Sequence, residues 1–148
     1  WKILTKMLIV VDVNVVLSAL LSKGNSLNVF VLNYILNKVE FIAPEFLTLE
    51  LEKHKEEIRK RIKIPENEFE EDIDFILSQI TFIPKSEFKE FIPKAIEMLK
   101  NHEKDKQYLA LALKFNCNIF SGDKILKQLA PDKVLNPKEI LNKIYSVD

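Results

Sequence analysis

Glycine is almost missing: Gly24 and Gly122 are the only two in a chain of 148 residues. Two glycines cannot build a phosphate-cradling loop, and neither a G-x-G-x-x-G stretch nor a Walker loop is present. With six prolines beside them, collagen-like and low-complexity linker sequence are excluded as well. One cysteine, Cys117, rules out an internal disulfide framework and a Cys-rich zinc site. A reducing, cytoplasmic setting is the default expectation. Neither sign of charge is in excess: 22 basic residues balance 22 acidic ones. That excludes a strongly basic, nonspecific nucleic-acid binder, although a local basic patch is compatible with it. There is no Gly-x-Ser-x-Gly elbow for a serine nucleophile. A long hydrophobic run is also lacking. Residues 7–21 are apolar apart from Asp12, Asn14 and Ser18, but the run is too short to span a bilayer. Lys2 and Lys6 precede it as in a signal peptide, yet a carboxylate in its middle is costly in lipid. A buried strand followed by a buried helix explains these residues better.

What is present is a core. The chain is 47% hydrophobic and 30% charged, enough to bury one domain, placed at residues 7–148. Met7 reads as a natural start, and residues 1–6, opening with Trp1, as a short extension or remnant. Leu8–Val11 is a continuous β-branched and Leu run, the mark of a strand covered on both faces. A short helix over 14–21 follows, then one capped by Ser26 and running through about Lys38. A strand at 41–43 leads to Pro44 at the first turn of a helix ending near Ile62. Pro65 opens a Glu-rich helix to about Gln79, and Ile80–Ile83 is a third strand. Ser86 caps a helix to Leu99, bent near Pro93. Asp105 opens a helix through Phe115. Cys117–Phe120 is a fourth strand, with Cys117 a small buried hydrophobe, and 133–135 a fifth. Asn136, Pro137 and Glu139 form a helix start. Strands alternate with helices throughout, which predicts a three-layer α/β fold with a largely parallel sheet of four to five strands flanked by helices.

In such sheets sites form beyond the carboxyl ends of the strands, near the switch in strand order. Asp12 and Asn14 follow the first strand there, and Ser121 and Asp123 follow the fourth. Glu50 lies in the helix after strand two, and Asp105 opens the helix leading into strand four. A carboxylate ending a hydrophobic strand must be paired, hydrogen-bonded or on a metal. Arg59 and Arg61 are the only arginines, and neither is near. Converging acids without cations repel one another, and a divalent ion removes that conflict. Oxygen ligation selects Mg2+ or Mn2+. Such a site suits phosphodiester hydrolysis. His54, one turn after Glu50, and His102, three residues before Asp105, offer nitrogen for a transition-metal site. No third nitrogen or sulfur ligand stands near them, so oxygen ligation is expected. Singly, each acid has a plain alternative: Asp12 and Asp105 as helix-start residues, Glu50 as solvated surface, Asp123 as a turn residue.

VVDVNVVLSALL, LELEKH with Glu50, KDKQYLALAL with Asp105 and CNIFSGDKIL with Asp123 together resemble the PIN domain, in order and in acidic type, from Met7 to Tyr145. They look like the VapC-type prokaryotic toxins and their stand-alone relatives. The resemblance implies a doubly wound sheet and an Mg2+- or Mn2+-dependent endoribonuclease cutting single-stranded RNA. It implies Asp12, Glu50, Asp105 and Asp123 as the metal-binding, catalytic acids, with Asn14 and Ser121 orienting them by hydrogen bonds. It also implies a homodimer and, for a toxin, an antitoxin protein as partner. Lys53, Lys106 and Lys124, with Lys23, Lys104 and Lys127, lie near the motifs as candidate phosphate contacts. Tyr108 is a candidate stacking platform for a splayed base. Two other readings compete. One is a PIN-like module that binds RNA or protein without cutting. The other is a haloacid-dehalogenase-like phosphatase with Asp12 as nucleophile, which would want a second acid where Asn14 stands.

Overall fold

The computed structural model describes residues 6–146; residues 1–5, most of the expected extension, and 147–148 lie outside it. Five parallel strands form one sheet in the order β3-β2-β1-β4-β5. They are β1 (Met7–Val11), β2 (Val39–Pro44), β3 (Ile80–Ile83), β4 (Asn118–Phe120) and β5 (Val134–Leu135). Ile9, Val10 and Val11 of the central strand are wholly buried, which is why β1 reads as an unbroken apolar run rather than an alternating one. The chain winds outward through β2 and β3, then returns to the other side of β1 for β4 and β5. The fold is thus a doubly wound α/β sheet, and its order reverses between β1 and β4.

The helices are α1 (Val13–Ser22), α2 (Asn25–Leu36), α3 (Phe46–Ile62), α4 (Glu66–Leu77), α5 (Ile92–Leu99), α6 (Lys106–Phe115), α7 (Lys124–Leu129) and α8 (Pro137–Ser146). Helix α6, with Tyr108 through Ala112 all buried, lies against β1, β2 and β4, and α5 packs on it. Phe30 of α2 reaches Phe41 of β2 and Phe120 of β4, with ring centroids 5.1 and 5.9 Å away. No single helix among the described residues is long and apolar enough to cross a membrane. Only α1 and α2 together have the length, and they meet at a bend of 100° with Val15, Val16, Leu20, Val29 and Phe30 in the core.

Several boundaries differ from the sequence reading, each for a local reason. Pro44 ends β2, in register with Ile83 of β3, instead of starting α3. Gly24, not Ser26, precedes α2; Ser26 is buried inside the first turn and caps nothing. Pro65 stands just outside α4. The helix expected over 86–99 is two 3-10 turns, 85–87 and 89–91, followed by α5. Pro93 lies in the first turn of α5, where no bend is needed. Asp105 closes a 3-10 turn (Glu103–Asp105) ahead of α6. With glycine so scarce, Lys23, Asn37, Lys63 and Asn116 take the left-handed conformation at helix ends.

Candidate metal centre

The strand reversal leaves a gap beyond the carboxyl ends of β1 and β4, and the register fixes what fills it. Val11 pairs with Phe120, so Asp12 and Ser121 emerge side by side, and the Asp12 N–H donates to the Phe120 carbonyl at 3.2 Å. Asp12 is wholly buried. Its Oδ1 accepts the Asn14 backbone N–H at 3.1 Å, capping α1, and its Oδ2 accepts the Ser121 hydroxyl at 2.7 Å. The cap and the buried acid are therefore one residue, since a carboxylate has lone pairs for both roles. The Ser121 hydroxyl also accepts the Asp123 backbone N–H at 3.1 Å, tying the two acids together. Asn14 meets Asp12 only through its backbone N–H; its side chain is exposed.

Asp123 divides its oxygens in the same way. Oδ1 accepts the N–H groups of Ile125 and Leu126 at the start of α7, at 2.8 and 3.1 Å. Oδ2 shares a long hydrogen bond of 3.4 Å with His102 Nε2 and faces Lys104 Nζ at 3.8 Å. Asp105 is 3% exposed, and although it precedes α6 its side chain makes no capping bond. Its Oδ2 lies 3.0 Å from His102 Nε2 yet is buried without a hydrogen bond. Glu50, on α3, accepts the hydroxyl of Tyr108 from α6.

The electrostatics follow from burial. Asp12 is pushed up to about 6, chiefly by desolvation; the Ser121 bond opposes this, and the Asp105 and Glu50 charges add to it. Burial also raises Asp105, with the Asp123 charge next and His102 opposing. Burial works to raise Asp123 too, but the Leu126 N–H, His102, the Ile125 N–H and Lys104 together hold it below the ordinary range. Asp12, Glu50, Asp105 and Asp123 thus share one field at the sheet edge. The tightest convergence is a different set: His102, Asp105 and Asp123 offer ligand atoms all within 4.8 Å of one another. A buried, unbonded carboxylate oxygen amid repelling acids fits a divalent cation, which would satisfy the oxygen and remove the repulsion.

In sequence His102 stands out only by its spacing before Asp105, and the fold is what brings it to the acids. Tyr108, expected as an exposed platform, is instead 1% exposed, and burial and the Glu50 carboxylate keep its phenol protonated. Its Ala- and Leu-rich helix was the available signal for that burial. His54 is exposed on α3 and joins no cluster among the described residues. Of the lysines, Lys23 pairs with Asp72 at 3.7 Å. Lys127 is held by the Val134 carbonyl and Glu139. Lys53 and Lys124 are exposed and Lys106 half-buried. A cleft of about 550 Å³ opens beside Ser121 and Asp123, lined also by Lys124 and Lys138. A second, of about 440 Å³, is lined by Phe46, Lys85, Glu103, Lys104, Lys106 and Gln107.

No curated protein matches the chain closely. A family model described as PIN domain matches residues 10–130, which takes in every acid of the cluster. The chain belongs to the PIN-domain family, whose members are generally metal-dependent nucleases.

Proposed function

We propose that the protein is a divalent-metal-dependent endoribonuclease that hydrolyses phosphodiester bonds of single-stranded RNA. The observation that carries this reading is the buried Asp105 Oδ2, without a hydrogen bond, in a field of four acids that His102 and Lys104 only partly offset. Asp12, Asp105 and Asp123 are the residues to hold the ion, Mg2+ or Mn2+. Glu50, steadied by Tyr108, holds it as well or positions the attacking water. A divalent ion at such a site activates water and neutralises charge on the phosphoryl oxygens. Ser121 and the Asn14 N–H keep Asp12 turned toward the site. The two lysine-bearing clefts that flank the acids give a backbone somewhere to lie. Lys106 and Lys124 are the phosphate contacts within them, and Lys53 lies nearby on α3.

The test is cleavage of a labelled single-stranded RNA, linear and circular, with Mg2+, Mn2+ or EDTA. Both forms should be cut with metal, because an endonuclease needs no chain end. EDTA should stop cleavage, and Asp12→Asn should slow it by about 100-fold or more. No cutting, together with no Mn2+ binding by calorimetry, would sink the reading and favour a PIN-like module that binds without cutting.

A further inference from the structure

We propose that His102 Nε2 is itself a ligand of the divalent ion, making the centre a mixed nitrogen–oxygen site on His102, Asp105 and Asp123 that prefers Mn2+ to Mg2+. This rests on the metal-dependent reading above and deepens it by naming the ion. His102 Nε2 stands 3.0 Å from Asp105 Oδ2 and 3.4 Å from Asp123 Oδ2. Donors at adjacent corners of a six-coordinate ion with bonds of about 2.1 Å are about 3.0 Å apart, and about 3.4 Å around a four-coordinate one. Both contacts fall in the range of ligands sharing an ion, and all three ligand atoms lie within 4.8 Å of one another.

A plain hydrogen bond gives similar distances, but it does not account for Asp105. At 3.0 Å from the imidazole, Oδ2 still takes no hydrogen bond and is buried from water. The ring nitrogen makes a long hydrogen bond of 3.4 Å to Asp123 Oδ2 instead, which leaves the nearer Asp105 oxygen aimed at a partner that the protein does not supply. The other oxygen of Asp123 is spent on α7, so Oδ2, held only by the long contacts to His102 and Lys104, is the one to ligate. His102 is placed by the backbone: its N–H bonds the Leu99 carbonyl at 2.9 Å, after Lys100 turns the chain with φ of 55°. Imidazole nitrogen suits first-row transition ions, whereas Mg2+ favours oxygen and keeps its waters. A mixed site of this kind should separate the two ions that carboxylates alone bind alike.

The chain has only two histidines, and His54 is exposed on α3, so an imidazole signal at the centre has one source. Pulsed electron paramagnetic resonance of the Mn2+-loaded protein should show nitrogen coupling from a bound imidazole. Labelling histidine with 15N should change its pattern without altering the fold. By calorimetry, His102→Gln should lower the preference for Mn2+ over Mg2+ by about tenfold or more, while Asp105→Asn loses both ions. Mn2+ binding with no nitrogen coupling, and an unchanged preference in His102→Gln, would overturn the inference and leave the nuclease reading standing. Failure of the wild type to bind Mn2+ at all would overturn both.

Discussion

Asp12 is held in a state that costs the metal-free protein stability. Its carboxyl is raised from 3.8 to about 6, so its charged form is disfavoured by folding. The penalty is absent below pH 3.8, grows as pH rises toward 6, and is complete above it. A shift of this size corresponds to about 3 kcal/mol at neutral pH. Asp12→Asn keeps acceptor and donor atoms for the Asn14 N–H and the Ser121 hydroxyl but carries no charge. In EDTA the variant should be more stable than wild type at pH 7 by up to that amount, with the gap shrinking by pH 4. Urea unfolding at both pH values checks this, and an unchanged gap would mean that Asp12 is not strained by burial. Tyr108→Phe should act in the opposite direction. It removes the Tyr108 donor to Glu50, lowering stability by about 1 kcal/mol and Tm by about 2–4 °C. RNA cleavage by the variant should slow about tenfold, because Glu50 is no longer steadied.

At the scale of elements, the site depends on how strands are seated rather than on the acids alone. Asn33 of α2 is buried, and its side chain fixes the entrance of β2. Its Oδ1 accepts the N–H groups of Lys38 and Val39 at 3.0 and 2.9 Å, and its Nδ2 donates to the Val39 carbonyl at 2.9 Å. Asn33→Ala leaves these groups short of partners and should cost about 2–3 kcal/mol, read as a lower urea midpoint with an unchanged slope. The last helix is tied at its start by a reciprocal pair, Asn136 N–H to Glu139 and Glu139 N–H to Asn136, at 3.0 and 2.8 Å. That pair was legible in sequence because its parts are three residues apart. The 3-10 turns before α5 were not, since the same residues read as a helix when only their apolar spacing is counted.

Across the whole molecule, the centre joins segments far apart in the chain. Ser121 bonds Asp12 across 109 positions, and Tyr108 bonds Glu50 across 58. An ion at this junction binds only the folded chain, so it should stabilise the fold by about 2.7 kcal/mol at a hundredfold excess over Kd. The rise in Tm with Mn2+ should be larger at pH 7.5 than at pH 5, because the raised carboxyls of Asp12 and Asp105 must lose their protons for the ion to bind. An equal rise at both would place the ion away from these acids.

Legible in the chain alone were the alternation of strands and helices, the buried central strand, and where Asp12, Glu50, Asp105 and Asp123 stand relative to these elements. These follow from local periodicity and from an acid standing where a hydrophobic strand ends. Packing is what turns Tyr108 inward to Glu50, brings the Asn14 backbone N–H to Asp12, and closes His102 on Asp105 and Asp123. A side chain's direction depends on which helix covers which sheet face and on turns such as that at Lys100, and spacing along a chain carries neither.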